Sequence, residues 1–234
     1  MKIYIIFLII TFACFADATI EIKALPENIS SNLKTINNNY LVIYNTNKQK
    51  EPPPLLIFLH GAGERGTDIS KLKTGAGIPP FRFFDKEKNQ PFLIISPQCL
   101  PDKWWNTDEL NIWFAYIEKT EKFDKKRVYL TGLSMGGFGT FKWVANNGSR
   151  FAAAAPICGG WKRKDFNSKP INAELKNLIS VPLWIFHGDK DKVVPSRQSK
   201  NMVNWIEAAG SNQIKFTLFK SLGHAIWEEA YVNN

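Results

Sequence analysis

The sequence Gly132-Leu133-Ser134-Met135-Gly136 joins the apolar run Val128-Tyr129-Leu130 to a segment with helical patterning. A Gly-x-Ser-x-Gly sequence between a strand and a helix forms a tight turn that presents the serine hydroxyl at the edge of a sheet. The glycines lack a Cβ, so the strand and the helix can approach closely. The pattern makes Ser134 a candidate nucleophile, and a serine that only caps the following helix is the alternative.

Apolar runs of strand length alternate with amphipathic segments along the rest of the chain, and no repeat or low-complexity linker divides them. Several runs are apolar at nearly every position, as in parallel strands buried on both faces. The alternation predicts a doubly wound α/β domain, with a mostly parallel central sheet and helices on both faces. The predicted strands are 40–44, 55–59, 92–96, 127–130, 152–157, 182–187 and 214–219, and the predicted helices are 108–122, 134–146 and 196–208. Segment 67–89 is predicted to be a loop with a short helix.

The first 18 residues have the features of a secretory signal peptide. Lys2 precedes an apolar run, 3–15, that is short for a bilayer span, and Ala16-Asp17-Ala18 has the small-x-small pattern of a cleavage site. We therefore expect residues 1–18 to be removed and residues 19–234 to form a single secreted domain, extracellular or periplasmic. An uncleaved membrane anchor is the alternative; after cleavage we expect no stable membrane span.

The chain is basic, with 30 Lys and Arg against 21 Asp and Glu, and its formal net charge is +9. A basic surface favours anionic polymers or lipid head groups, but these lysines are scattered and form no arginine-rich run. We therefore expect no nucleic-acid partner. Cys99 and Cys158 each follow an apolar run, a placement compatible with a disulfide or with two buried free thiols. The cysteine spacing matches no zinc motif, so we expect no metal site.

A serine nucleophile requires a base, and the chain has three histidines, each next to a glycine. His60 and His187 end apolar runs, and we interpret both as structural residues at strand ends. His224 lies in a loop after the last predicted strand and is the candidate base. Asp189 and Asp191 follow His187 in a turn that can direct a carboxylate toward the site. The resulting order is serine, acid, histidine.

Six stretches of the chain carry a resemblance to known proteins, and they extend from residue 55 to residue 231. On these stretches the chain resembles α/β-hydrolases of the dienelactone-hydrolase and phospholipase/carboxylesterase type. Among these hydrolases it most resembles the branch of secreted esterases or "predicted peptidases". The resemblance implies the α/β-hydrolase fold. The stretches are Phe58-Leu59-His60-Gly61-Ala62-Gly63-Glu64-Arg65-Gly66, Ser96-Pro97-Gln98-Cys99, Leu130-Thr131-Gly132-Leu133-Ser134-Met135-Gly136-Gly137, Pro156-Ile157-Cys158-Gly159-Gly160, Phe186-His187-Gly188 through Pro195, and Gly223-His224 with Trp227.

The resemblance also implies a catalytic triad. Ser134 would be the nucleophile and His224 the general base, and the acid of the pattern His-Gly-x-x-Asp-x-x-Val-Pro falls on Asp191. Asp189, two residues earlier in the same turn, is the alternative acid. The expected reaction is cleavage of a carboxylic ester through an acyl-enzyme, without a metal or an organic cofactor. A serine peptidase of the same fold and a binding protein without catalysis are the alternatives.

An oxyanion hole is implied at two turns. Its donors would be the backbone N–H of Met135, which follows the nucleophile, and the N–H of Ala62 or Gly63 in the glycine-rich stretch after the second predicted strand. Such a donor is typically worth about 3 kcal/mol in the transition state.

Three tryptophans follow predicted strand ends on the side of the nucleophile. Trp104, Trp105 and Trp161 are candidates for a platform that binds a phenolic acyl group or a sugar ring of a small or polysaccharide-linked ester. Packing against neighbouring loops is the alternative for each of them. Glu64 and Arg65 either pair with each other or clamp the loops around the oxyanion turn, and we assign them no catalytic role.

Overall fold

The computed structural model describes residues 18–45, 51–74, 92–163, 165 and 168–232. Within these residues, one sheet of eight strands forms the centre of the molecule. The strands are Ala18–Ala24 (β1), Ile36–Asn45 (β2), Leu55–Leu59 (β3), Leu93–Cys99 (β4), Val128–Leu133 (β5), Ala153–Ile157 (β6), Leu183–Gly188 (β7) and Ile214–Phe219 (β8).

The strand order across the sheet is β1-β2-β4-β3-β5-β6-β7-β8. β1 pairs with β2 and β2 with β4 in antiparallel orientation. The pairs from β4 and β3 through β7 and β8 are parallel, so their carboxyl ends meet at one edge of the sheet. The prediction of a mostly parallel central sheet is confirmed, and this shared edge is where ligands bind in open α/β sheets.

Six α-helices occur in the described part of the chain. They are Glu27–Ser30 (α1), Thr107–Thr120 (α2), Met135–Asn147 (α3), Asn172–Ile179 (α4), Arg197–Ala208 (α5) and Trp227–Val232 (α6). Short 3-10 helices occupy Ala62–Glu64, Ile69–Lys73 and Gly148–Arg150. None of the helices in these ranges combines the length and the apolarity that a membrane crossing requires.

Helices cover both faces of the sheet, as predicted. On one face α2, α3, α4 and α5 bury the largest apolar cluster, in which Trp113, Phe141 and Trp143 are completely inaccessible to solvent. On the other face α6 packs against β5, β6 and β7, while the 3-10 helix Ile69–Lys73 packs against β2, β3 and β4.

The first turn of α2 is held by polar contacts on both sides. Asn106 Oδ1 accepts hydrogen bonds from the N–H of Asp108 at 2.9 Å and of Glu109 at 3.2 Å, which caps the helix. The buried carboxylate of Glu109 in turn accepts from the N–H of Lys34 at 2.9 Å and from the N–H and hydroxyl of Thr35, both at 2.7 Å. These bonds fix α2 to the segment that precedes β2.

The turn between β5 and α3 requires glycine. A Cβ at Gly136 would lie 1.9 Å from the carbonyl oxygen of Leu59 in β3, and one at Gly132 would lie 2.5 Å from the carbonyl oxygen of Gly136. Real Cβ atoms do not approach other atoms so closely. The missing side chains therefore allow α3 to begin directly against the ends of β3 and β5.

The structure adds elements to those predicted from the sequence. β1, α1 and α4 were not predicted, and β2 extends through the polar run Asn37-Asn38-Asn39. Of the predicted loop 67–89, residues 67–74 contain a 3-10 helix, and residues 75–89 lie outside the described residues.

Candidate active site

Ser134 lies in a strained turn at the carboxyl end of β5. Its backbone has φ 53° and ψ −114°, a conformation that non-glycine residues rarely adopt. The N–H of Ser134 donates to the carbonyl of Ile157 at 2.8 Å, and its carbonyl accepts from the N–H of Phe138 at 3.1 Å. Both backbone groups are therefore engaged, and the turn presents the hydroxyl at the sheet edge, where strain of this kind is typical of functional sites.

His224 lies in the loop between β8 and α6. Its Nδ1 is 2.6 Å from Asp191 Oδ2, and its carbonyl accepts hydrogen bonds from the Cys158 thiol at 3.3 Å and from the N–H of Ile226 at 3.0 Å. Cys158 directly follows the residue that holds the Ser134 N–H, so these contacts bring the histidine loop beside the serine turn.

Among the hydrogen bonds of the described residues, none joins Ser134 Oγ to His224 Nε2. In free serine hydrolases this contact commonly tightens when substrate binds. With Nδ1 committed to the carboxylate, Nε2 is the ring nitrogen of His224 that can accept the serine proton.

The carboxylate of Asp191 is fully buried, and both of its oxygens have hydrogen-bond partners. Oδ1 accepts from the N–H of Val193 at 2.8 Å and of Val194 at 2.9 Å, while Oδ2 faces His224 Nδ1 at 2.6 Å and His187 Nε2 at 3.2 Å. Burial by itself would raise the pKa of this carboxyl, but the donors from His187, His224 and Val194 outweigh it and hold the pKa well below its usual range. Asp191 is therefore ionised at neutral pH, as the partner of a catalytic imidazole must be.

The alternative acid, Asp189, has a different place. Its Oδ1 accepts a hydrogen bond from the N–H of Ser221 at 2.7 Å, and the N–H of Lys190 donates to the carbonyl of Leu222 at 2.9 Å. Asp189 thus binds the backbone of the loop that carries His224 and does not contact the imidazole. The structure places Asp191, and not Asp189, in contact with His224.

The glycine-rich turn after β3 lies next to the serine turn. A Cβ at Gly61 would be 2.8 Å from the Leu133 side chain, and Leu133 immediately precedes Ser134. Ala62 and Gly63, the proposed donors of this turn, are both exposed, whereas Met135 begins α3 and is buried. The expected donors therefore lie on two neighbouring turns, one of which carries Ser134.

His60 supports this turn from below the surface. Its ring is inaccessible to solvent, Nδ1 lies 2.6 Å from the carbonyl oxygen of Gly61, and Nε2 accepts from the N–H of Cys99 at 2.9 Å. Nδ1 must therefore carry the proton. Burial is the main cause that lowers the pKa of His60 to about 4, which keeps the ring neutral. This geometry fits the structural role expected for His60.

Glu64 and Arg65 clamp the same turn and do not pair with each other. Arg65 donates from Nε to the carbonyl of Ala62 at 3.0 Å and from a terminal nitrogen to the carbonyl of Lys103 at 3.3 Å. The carbonyl of Glu64 accepts from Gln98 Nε2 at 3.0 Å, and burial raises the pKa of the Glu64 carboxyl. The clamping alternative is therefore the one that the geometry favours.

The three candidate tryptophans line one cleft beside the site, with a volume of about 790 Å³. Trp104 is 42% exposed and makes an edge-to-face contact with Phe138. Trp105 and Trp161 are buried. The indole N–H of Trp105 donates to the carbonyl of His60 at 3.3 Å, and Lys142 Nζ lies 3.1 Å from the ring centre of Trp161. Trp104 thus offers a free face, whereas the other two form the packed walls.

Two residues that lie close to Asp191 were not among the site residues predicted from the sequence. His187 contacts the Asp191 carboxylate, and its position four residues earlier at a strand end was the available signal. Cys158 has a φ of 48°, and its sulfur lies within 4.8 Å of polar side-chain atoms of Asp191 and His224; the thiols of Cys158 and Cys99 are both free and buried. Burial, reinforced by the charge of Asp191, raises the pKa of the Cys158 thiol well above its usual value, so it remains a hydrogen-bond donor rather than a competing nucleophile.

Comparison with solved structures places this arrangement among hydrolases. A thermostable esterase is 27% identical with a TM-score of 0.74, over 94% of this chain and 61% of that chain, so the present chain spans about three fifths of its length. A ferulic acid esterase is 18% identical with a TM-score of 0.67, over 92% of this chain and 94% of that chain. A fluorophosphonate-binding serine hydrolase of Staphylococcus aureus is 16% identical with a TM-score of 0.65, over 91% and 95%. The last two likenesses concern the fold.

The sequence was also compared with curated proteins and with protein families. No curated protein matches it at the significance required. The sequence profile of the dienelactone hydrolase family matches residues 97–231, a range that includes Ser134, Asp191 and His224. Since this range is more than half of the 234 residues, the chain belongs to the dienelactone hydrolase family.

Proposed function

We propose that this protein is a serine esterase that cleaves carboxylic esters through an acyl-enzyme, with Ser134, Asp191 and His224 as its triad. The observation that carries the proposal is the 2.6 Å contact between Asp191 Oδ2 and His224 Nδ1, made beside a serine with a positive φ. Membership of a hydrolase family and the likeness to a thermostable esterase support it.

In the proposed reaction, His224 Nε2 removes the proton from Ser134 Oγ as this oxygen attacks the ester carbonyl. The negative charge that develops on the carbonyl oxygen is stabilised by the N–H of Met135 and by an N–H of the turn after β3. Asp191 holds the imidazole in the tautomer with a proton on Nδ1 and stabilises the imidazolium. The imidazolium then protonates the leaving alcohol, and water, activated by the same histidine, releases the acid.

The proposal is tested with short-chain p-nitrophenyl esters and with a fluorophosphonate probe. The purified protein is expected to hydrolyse the esters and to be labelled at Ser134, and Ser134→Ala is expected to lose both activities. A protein that neither cleaves these esters nor reacts with the probe would refute the assignment. Preferential cleavage of peptide substrates would instead identify it as a peptidase of the same fold.

We further propose that the cleft along Trp104 receives a ring of the ester, from a phenolic acyl group or a sugar. Phe138, in the cleft wall, follows the nucleophile by four residues of sequence, which corresponds to about 6 Å along the axis of α3. Trp104 contacts Phe138 edge to face, and its exposed indole suits a planar or pyranose ring. No triad residue lines either this cleft or a second, apolar groove of about 570 Å³ at Tyr129 and Trp184; the cleft is preferred because Phe138 in its wall belongs to the helix that follows Ser134.

The role of the cleft is tested by comparing Trp104→Ala with the wild type on feruloyl, acetylated-sugar and short-chain acetyl esters. kcat/KM is expected to fall about tenfold for the ring-bearing esters and to change less than twofold for the simple acetyl ester. The matched control is Ile171→Ala, which also removes an exposed apolar side chain, 67% exposed, at a position outside the cleft lining. Equal losses on all esters would contradict a role in ring binding.

Export is proposed on the basis of the leader-like residues 1–18. Cleavage after Ala18 would leave β1, Ala18–Ala24, intact except for its first residue. Expression of the full sequence in a secreting host should yield an exported protein whose N-terminal residue is Thr19. Retention of the intact leader in the membrane fraction would support an anchor instead.

A further inference from the structure

We propose that His187 is a positioning residue of the triad, which donates a second hydrogen bond to Asp191 Oδ2 and thereby holds that oxygen toward His224. The inference rests on the proposed esterase function. From the sequence, His187 was interpreted only as a structural residue at the end of a strand.

The contacts of His187 decide which ring nitrogen carries a proton. Nε2 lies 2.8 Å from the carbonyl oxygen of Val194 and 3.2 Å from Asp191 Oδ2. Both oxygens only accept hydrogen bonds, so an unprotonated Nε2 would face two acceptors with no hydrogen between them. Nε2 must therefore be N–H, and it is shared between the carbonyl and the carboxylate.

The other side of the imidazole is anchored in α5. With the proton of the neutral ring on Nε2, Nδ1 accepts a hydrogen bond from the hydroxyl of Ser199 at 2.6 Å, and the same hydroxyl oxygen lies 3.1 Å from the carbonyl oxygen of Gly159. Both His187 and Ser199 are completely buried. The ring is thus fixed between the strand β7 that carries it, the helix α5 and the turn after β6.

Asp191 Oδ2 consequently lies between two imidazole donors. His224 Nδ1 approaches it at 2.6 Å and His187 Nε2 at 3.2 Å, while Oδ1 is held by two backbone N–H groups. The second donor occupies the lone pair of Oδ2 that His224 does not use. Without it, the buried Oδ2 would lose one of its two imidazole donors, and only His224 itself would hold that oxygen in the direction of the base.

Two amide variants separate positioning from packing. In His187→Gln the side-chain amide reaches the place of Nε2 and can still donate to Asp191. In His187→Asn the amide reaches only the place of Nδ1, so the contact with Ser199 can persist while the donor to Asp191 is lost. Both variants replace the ring by an amide of similar polarity, and they differ chiefly in which end of the imidazole is replaced.

The variants are compared in kcat, KM and the urea midpoint, on p-nitrophenyl acetate at pH 7.5. His187→Asn should lower kcat at least tenfold with KM within a factor of two, because hydrogen bonds to charged groups are worth factors of this size. His187→Gln should retain kcat within about threefold. Ser134→Ala, assayed in parallel, gives the background.

The outcomes distinguish this inference from the proposed function. Equal kcat losses in the two variants, or none in His187→Asn, would overturn the positioning role while the wild-type esterase activity stands. If His187→Asn does not fold, His187→Met takes its place, and a kcat for it within threefold of His187→Gln overturns the role equally. A wild type without esterase activity would overturn the proposed function, and this inference with it.

Discussion

The buried His60 makes the stability of the protein depend on pH in a way that can be calculated. Burial is the main cause that lowers the pKa of His60 from 6.5 to about 4. Between these two pH values the imidazole is protonated in the unfolded chain and neutral in the native state. Each pH unit between these values is worth about 1.4 kcal/mol per proton. The unfolded state binds more protons over this window, so stability is lost as the pH falls, by about 2.5 kcal/mol between pH 7.5 and pH 4.5.

The assay is urea unfolding of the wild type and of His60→Gln at several pH values across this window, at constant ionic strength. The glutamine does not titrate, and its amide oxygen can accept the hydrogen bond from Cys99 N–H that Nε2 accepts now at 2.9 Å. The variant should start from a lower free energy of unfolding, because the Gly61 carbonyl loses its donor, but it should lose about 2.5 kcal/mol less on acidification. The same acid loss in both proteins would refute the reasoning, since the remaining titratable groups are common to both.

Three further predictions concern the acid, the serine turn and the first sheet edge. Asp191→Asn should lower kcat by about 10⁴-fold, whereas Asp189→Asn should stay within tenfold; equal losses in ester hydrolysis would contradict the assignment. Gly136→Ala, whose Cβ would lie 1.9 Å from a carbonyl oxygen of β3, should lower the free energy of unfolding by more than about 3 kcal/mol in urea titrations. Gly63→Ala, with no atom within 4 Å of the added Cβ, should change it by less than about 0.5 kcal/mol, and similar effects of the two would be inconsistent with the geometry. Glu121→Ala removes the 4%-exposed carboxylate that Lys23 of β1 contacts at 2.8 Å and that accepts from the Tyr44 hydroxyl at 3.0 Å, and it should lower the free energy of unfolding by about 2 kcal/mol; an unchanged urea midpoint would show that these contacts are dispensable.

The sequence predicted those elements whose pattern is set by burial. β3 and β4 are buried at every position, and runs such as Leu55–Leu59 leave little alternative to a central parallel strand. β1 lies at the sheet edge, where residues 19–24 are exposed or half-buried without a regular alternation, and its start coincides with the end of the leader-like segment, so no burial pattern marked it as a strand. α4 is short, and Leu178 is its one fully buried residue, so the apolar pattern of the segment is weak.

For the candidate site, the sequence indicated the groups but not their contacts. Ser134 follows from the glycine spacing, and the region of the acid follows from chain order. The contact of Asp191 with His224, and the binding of Asp189 to the backbone at Ser221, depend on how two turns cross, which no local pattern encodes. The bond from His187 to Asp191 likewise exists only because the turn after β7 folds back on the strand end.

The first turn of α5 has a consequence for changing the specificity of this protein. The adjacent residues Gln198 and Ser199 point in different directions: Gln198 Nε2 donates to the carbonyl of Lys162 in the cleft wall at 2.7 Å, and Ser199 contacts the histidine beside the triad acid. A Cβ at Gly160 would lie 2.3 Å from the Gln198 amide oxygen, so a larger residue at position 160 requires Gln198 to move or to be replaced. Substitutions at residues 160–163 that are selected for a new ester will therefore depend on which residues α5 carries. A library that varies Trp104 and keeps Gln198 and Gly160 can alter substrate choice while the catalytic geometry stays in place.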